Sequence, residues 1–262
     1  MMKAVILCGG RGTRIRDVSE VLPKPMLSIG DRPMLWHIMK IYSHYGINDF
    51  ILCLGYKGWV IKEFFLNYYA KILDASVSLK DQESVIYHHD SKERLDWKIT
   101  MVETGHDSQT GARVLMTKKY LKDSDDFCLT YGDGLADIDI NALLDAHKNR
   151  KLKGFMTGVH PPGRFGEIQI TGNKVSSFAE KPNVSCGLYN GGFMVFKKEV
   201  LDEYFRKGSD LVLESGVLPG LVKEKQLGIY EHKGFWHCVD TPRDLDYVNK
   251  LWKENKAPWK VW

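Results

Sequence analysis

Long apolar runs are missing from this chain, as are closely spaced cysteines and any dense block of one charge. The first apolar run, Ala4 to Cys8, follows a single lysine and stops at Gly9. It is too short for a signal peptide, and no other run approaches the length of a membrane-spanning helix. The 5 cysteines, Cys8, Cys53, Cys128, Cys186 and Cys238, lie far apart with no C-x-x-C pair. That spacing argues against a zinc site and against a disulfide framework. Three of them fall in apolar, strand-like runs, the setting of buried reduced thiols in a cytosolic protein. The formal net charge is only +4, and Lys/Arg stretches such as Lys148 to Lys153 read as solvated helix ends, not as a nucleic-acid groove. None of the 9 histidines stands in an H-E-x-x-H or other metal spacing. A G-x-S-x-G elbow and a paired Cys and His are also lacking, which removes the usual signs of covalent catalysis.

What is present is an ordinary globular composition: 262 residues, 44% hydrophobic and 27% charged, enough to bury the core of one large α/β domain. Lys3 to Cys8 reads as a buried parallel strand running into a glycine loop. Pro33 to Tyr45 carries an apolar helical stripe (Met34, Leu35, Ile38, Met39, Tyr42), with Asp31 as its expected start. His37 falls on that helix as a partly buried residue. Phe50 to Leu54 is a second buried strand, and Val60 to Ile72 a second helix. Strand, helix, strand, helix in this order predicts a parallel sheet with helices on its faces. Ser84 to His89 and Lys98 to Glu103 read as strands, followed by a polar segment, Thr104 to Arg113. Phe127 to Tyr131 repeats the buried-strand pattern. Gly154 to Val159, Gly166 to Ile170, Lys174 to Phe178 and Gly192 to Phe196 are short strands between Gly, Pro and Asn turns. Helical patterns follow over Lys198 to Arg206, Glu214 to Lys225 and Pro242 to Glu254.

Two local patterns carry chemistry. Directly after the first strand comes Leu7-Cys8-Gly9-Gly10-Arg11-Gly12-Thr13-Arg14. Glycines there let backbone N–H groups approach and cradle phosphate oxygens, and Arg11 and Arg14 add cationic donors. The loop is neither a G-x-G-x-x-G fingerprint nor a P-loop. Further on, Pro23-Lys24-Pro25 holds one lysine between two prolines that restrict where its ammonium points.

Together these motifs resemble the sugar-nucleotide pyrophosphorylase family of nucleotidyltransferases. The likeness continues through Tyr131-Gly132-Asp133-Gly134, Pro162-Gly163-Arg164-Phe165-Gly166, Glu180-Lys181-Pro182, Asn190-Gly191-Gly192 and Val239-Asp240, so it runs essentially end to end. Trp36 to Lys40, Thr110 to Arg113 and the ending Lys256 to Lys260 are similar to the bacterial glucose-1-phosphate cytidylyltransferase branch. The resemblance implies a Rossmann-like three-layer αβα fold with a mainly parallel mixed sheet and a β-rich sugar-binding lobe. It implies one domain over 1–262, with a nucleotide-binding half of about 1–135 and a sugar-phosphate-binding half of about 136–262.

The activity it implies joins CTP to glucose 1-phosphate, giving CDP-glucose and pyrophosphate for deoxysugar and lipopolysaccharide precursors. The donor stays open between CTP and UTP or dTTP, and a non-catalytic sugar-nucleotide sensor is the rival from another class. By resemblance Asp133 and Asp240 hold Mg2+, a hard cation that prefers oxygen donors. Lys24 serves the α-phosphate, Arg14 the leaving phosphates and Lys181 the attacking sugar phosphate. The nucleotide is expected on Leu7 to Arg14, Lys24, Thr104, Thr110, Gly111 and Arg113, and the sugar on Gly166, Glu180, Asn190 and Gly191. A homo-oligomer, trimer or hexamer, in the cytoplasm completes the expectation. Two departures stand out: Leu22 occupies a position where relatives carry a further lysine, and Ala112 replaces a glycine.

Overall fold

Side-chain alternation decides the architecture. In strand β1 (Lys3–Leu7), Ala4 and Ile6 face one core and Val5 and Leu7 another, and all four are buried. A strand buried on both faces needs a covering layer on each side. The computed structural model shows both layers; it describes residues 2–10, 22–78, 85–88, 95–161, 167–171, 174–179, 187–206 and 208–262.

The central sheet has seven strands: β1, β2 (Asp49–Leu54), β3 (Lys98–Glu103), β4 (Asp126–Tyr131), β5 (Gly154–Val159), β6 (Tyr189–Lys197) and β7 (Leu227–His232). Their spatial order is β7-β5-β6-β4-β1-β2-β3. Only β6 runs against its neighbours β4 and β5, so the sheet is mixed but mostly parallel. One face is covered by α1 (Met34–His44), α2 (Gly58–Leu66), α4 (Ile140–Arg150) and α6 (Pro242–Lys253), through Ile38, Ile61, Leu143 and Val248. On the other lie α3 (Thr110–Met116) and α5 (Leu218–Lys223), through Val114 and Leu221. The result is a three-layer αβα stack.

Several elements depart from the sequence pattern. The helix expected over Val60 to Ile72 is two, Gly58–Leu66 and Tyr68–Ile72. The break is at Asn67, whose side-chain amide and backbone N–H both return to the carbonyl of Glu63. Asp31 does not start α1: the N-cap is Pro33, and Asp31 pairs instead with Arg32. The polar segment leads into α3, which begins at Thr110, and Glu214 to Lys225 divides into a π turn, Leu213–Val217, and α5. Lys198 to Arg206 shortens to Val200–Glu203. Outside the main sheet, Gly134–Ala136 pairs with Trp236–Cys238, and Glu167–Thr171 pairs with Lys174–Ala179. Among the described residues Cys8, Cys53, Cys128 and Cys238 are free thiols, and no helix is long and apolar enough to cross a membrane.

His37 is more deeply placed than its helix pattern implies, with no exposed surface. Its Nε2 lies 3.0 Å from the carbonyl oxygen of Ile29, so Nε2 carries the proton. The Trp259 indole N–H points at Nδ1 from 3.5 Å, and Trp36, Trp252 and Trp262 surround the ring. Burial pulls the imidazole down from 6.5 to about 4, although the Ile29 bond opposes it. Between those values the unfolded chain binds a proton that the folded chain refuses. Stability therefore falls as pH drops from 6.5 toward 4, by about 3 kcal/mol in all. Thermal melts at neutral pH and at about pH 4.5 check this. His37→Gln is expected to lose roughly 5 °C less between the two conditions than the unsubstituted protein does.

Candidate active site

Three segments distant in sequence meet beyond the carboxyl ends of β1 and β4, the edge where open α/β sheets place ligands. β4 ends at Tyr131 and turns through Gly132 to Asp133. Gly132 donates to the carbonyl of Leu7 at 3.0 Å, and a β-carbon there would stand 2.8 Å from that oxygen. Only glycine lets the Asp133 turn lie this close to the end of β1. The Gly134–Ala136/Trp236–Cys238 ribbon and the Val239 N–H bond to the Asp133 carbonyl (2.9 Å) then bring Asp240 alongside. Asp240 itself is not the helix cap. Thr241 caps α6 in a capping box with Asp244, and Asp244 also accepts from the Asp240 N–H.

The third segment is the short turn Lys24–Met26, entered from Pro23 in an extended conformation. Its lysine ammonium donates to Asp133 Oδ2 at 2.7 Å and to Asp240 Oδ1 at 2.6 Å. The Lys24 side chain is 12% exposed. Burial works against its charge, but Asp133 and Asp240 outweigh it and raise its pKa. It is therefore an ammonium ion throughout the neutral range. Asp133, Cys238 and Asp240 form a group whose potential metal-ligand atoms lie within 4.8 Å of one another. Two of the three donors are carboxylate oxygens, suited to a hard cation. Burial pushes the Cys238 thiol well up, so it remains protonated.

The glycine loop is framed from the side. The guanidinium of Arg113, a buried residue, donates through Nη1 to Leu54 O (3.1 Å), Thr104 Oγ1 (2.7 Å) and Gly105 O (2.8 Å). Through Nη2 it donates to Gly9 O (3.0 Å) and His106 O (3.2 Å). It thereby ties together the chain ends that follow β1, β2 and β3. The same guanidinium explains two glycines: a β-carbon on Gly9 or Gly55 would stand 2.2 or 2.4 Å from Nη1. Thr104 is fully buried, and its hydroxyl donates to Leu54 O at 2.6 Å. Thr104 and Arg113, expected at the base, thus turn their polar groups inward onto the backbone. Leu7 and Cys8 are buried, whereas Gly10 is exposed with open space at its α-carbon.

Thr110 begins α3 and donates to Glu214 Oε2 at 2.7 Å. The other carboxylate oxygen of Glu214 accepts from Tyr131 at 2.5 Å. Tyr131 also receives the Asn190 amide at 3.3 Å, and Asn190 Oδ1 accepts from Gly192 N–H at 2.9 Å. One hydrogen-bonded chain therefore joins the polar segment to the Asn190-Gly191-Gly192 stretch on β6. Gly111 packs against Leu211, and Gly191 gives its carbonyl to the Trp236 indole N–H at 2.8 Å. Glu214 and Trp236 were not singled out in the sequence, because neither lies in a Gly or Pro motif. Arg11, Gly12, Thr13, Arg14, Gly166, Glu180 and Lys181 lie outside the described residues.

The family model for nucleotidyl transferases matches residues 3–254, so the chain belongs to the nucleotidyl transferase family. Within it, the chain is 45% identical to the glucose-1-phosphate cytidylyltransferase of Salmonella typhimurium, over 100% of both sequences. It is 30% identical to the mannose-1-phosphate guanyltransferase of Saccharomyces cerevisiae, over 96% of this chain and 66% of that protein. Its fold is similar to the inositol-1-phosphate CTP transferase of T. maritima, with TM-score 0.65 and 18% identity over 100% of this chain and 97% of the other.

The Arg113 frame yields a stability prediction. A lysine keeps the charge but cannot serve acceptors on both sides of the loop, so several charge-assisted hydrogen bonds to backbone carbonyls are lost. Arg113→Lys is expected to lower unfolding stability by about 2–4 kcal/mol, read from urea midpoints at unchanged m.

Proposed function

We propose that this chain transfers the cytidylyl group of CTP to glucose 1-phosphate, giving CDP-glucose and pyrophosphate. The observation that carries the reading is the meeting of Lys24, Asp133 and Asp240, in a family of nucleotidyl transferases and in a chain alignable end to end with a cytidylyltransferase. A sensor that only binds sugar nucleotides has no need of a charge cluster of this kind.

The reaction is attack by a sugar-phosphate oxygen on the α-phosphorus, with pyrophosphate leaving in line. The attacking phosphate is ionised at neutral pH, so no side chain need act as general base. The barrier is repulsion between anions, and the protein lowers it by positioning and by fixed positive charge. Lys24 supplies that charge: its ammonium is already buried and oriented, and it moves from carboxylate oxygens to α-phosphate oxygens without a change of protonation. Arg14 holds the departing phosphates, and Lys181 holds the phosphate of the nucleophile. The loop from Leu7 to Arg14 receives the triphosphate, Thr110 and Gly111 bound the base side, and Arg113 and Thr104 keep the loop in shape. Gly166, Glu180, Asn190 and Gly191 receive the sugar.

Asp133 and Asp240 would hold Mg2+, which supplies Lewis-acid neutralisation of phosphate oxygens when bound. The pair of hard carboxylate donors fits that cation, and the protonated Cys238 thiol does not compete for it. Assembly with further copies of the chain belongs to the same reading. Trp59, Leu66, Val77, Val85 and Ile86 are all at least half exposed, and apolar surface of this kind is commonly covered by a partner.

Two measurements test the assignment. Pyrophosphate release from purified protein with glucose 1-phosphate should be greatest with CTP and should stop on addition of EDTA. Preferential turnover of UTP or dTTP would overturn the choice of base and leave the reaction class intact. Lys24→Ala should retain the fold by circular dichroism and lose on the order of 10²–10³ in kcat. Activity within about threefold of the unsubstituted enzyme would remove Lys24 from the mechanism.

A further inference from the structure

The charge cluster is built from two pieces of chain that are joined a second time, away from the carboxylates. Lys24 lies four positions before Ser28, which opens a tight hairpin, Ser28–Ile29 paired with Arg32–Pro33. Asp240 immediately precedes the capped start of α6. Asn249 sits farther along that helix, half-buried. Its side-chain oxygen accepts from the Gly30 N–H at 2.9 Å, and its amide nitrogen donates to Ser28 O at 3.0 Å. The same nitrogen donates to Leu245 O at 3.1 Å, one turn back on the helix. The side chain therefore pairs with the hairpin backbone as a neighbouring strand would, while anchored to its own helix.

A second contact fixes the same docking. Gly30 has φ +63°, and a β-carbon there would stand 2.2 Å from the indole nitrogen of Trp252. The Trp252 ring thus lies flush against the hairpin tip, three positions beyond Asn249 and on the same side of α6. Together these contacts close a ring: Lys24, its turn, the hairpin, Asn249, α6, the Thr241 cap, Asp240 and back to Lys24 through the 2.6 Å ion pair. In a closed ring the separation of Lys24 and Asp240 is set by packing and hydrogen bonds as well as by their mutual attraction. Without Asn249 the ring loses its hydrogen bonds at that point and keeps the Trp252 contact and the attraction itself, which any phosphate oxygen that engages Lys24 must compete with.

We propose that Asn249 is a positioning residue, which fixes the Lys24 turn against the helix that carries Asp240 and so sets the lysine at the reacting phosphate. The inference rests on the role given to Lys24 above. It concerns geometry, to which the reaction is sensitive: displacement of a catalytic group by about 1 Å can cost on the order of 10²-fold. Nothing in the local sequence around Asn249 marks it for this role, since its partners on the hairpin are backbone atoms more than 200 positions away.

The test is a double-variant cycle on the full-length enzyme with Asn249→Ala, Lys24→Ala and the pair. Asn249→Ala should lower kcat roughly tenfold, with KM for glucose 1-phosphate within twofold of the original value. In the Lys24→Ala background the same change should have almost no further effect on kcat, because the group it positions is gone. Asn249→Asp keeps the acceptor for Gly30 N–H and loses the donor to Ser28, so it should retain more of kcat than Asn249→Ala. It also serves if the alanine variant does not fold. Full additivity of the two alanine changes would overturn the proposal, as would an Asn249→Ala enzyme with undiminished kcat. A crippled Lys24→Ala with an unaffected Asn249→Ala sinks the positioning role alone. A fully active Lys24→Ala sinks the reading of Lys24 and the positioning role with it.

Discussion

The site depends on one ammonium ion held between two carboxylates. Asp133 and Asp240 would repel each other at the separation the ribbon imposes. Lys24, at 2.7 and 2.6 Å from them, removes most of that repulsion. The arrangement leaves one excess negative charge, so it remains attractive to a cation while already containing one. Because all three groups are partly buried, their interactions are less screened than those of surface pairs, and loss of any one leaves the others poorly compensated. The Asp133 turn, the Gly134–Ala136/Trp236–Cys238 ribbon and the proline-bounded Lys24 turn are local structures whose shared consequence is this cluster.

Around it the protein is braced by groups that fulfil backbone hydrogen bonds. Arg113 supplies donors to carbonyls at the ends of β1, β2 and β3, beside the few backbone bonds that remain there. Asn249 does the same for the hairpin after Lys24, and Asp244 for the N–H groups of Asp240 and Thr241. Loops at the carboxyl edge of a parallel sheet have no ladder to complete, so their polar groups must be satisfied by side chains or water. Here side chains do it, and the loops that carry the charges are fixed as a result. The chain Thr110–Glu214–Tyr131–Asn190 extends the bracing across to β6.

Much of this was legible in the sequence, for identifiable reasons. The buried strands announced themselves as short apolar runs because parallel strands covered on both faces need apolar residues at every position. Pro23-Lys24-Pro25 and Gly132-Asp133-Gly134 stood out because proline and glycine restrict or release the backbone in ways few other positions require. The patterns misled where a polar side chain took a nearby partner that the pattern does not show. Asn67 ends a helix whose apolar periodicity continues unbroken into the next, and Asp31 has the composition of a cap but bonds to Arg32. The backbone partners of Thr104 and Arg113 could not be read from their polar segment at all.

The sequence by itself determined the class of fold, the family and the residues of the charge cluster, since each of these is written in local pattern: apolar periodicity, glycine and proline placement, and short motifs. Only the tertiary structure decided which groups meet. That Lys24 contacts both aspartates, that Arg113 serves Gly9 and that Asn249 holds the hairpin after Lys24 are contacts between residues up to 221 positions apart. No local propensity encodes such a contact. It exists because the sheet order and the packing of α6 on the opposite end of the chain place two surfaces together, and buried polar groups then take the partners that geometry supplies.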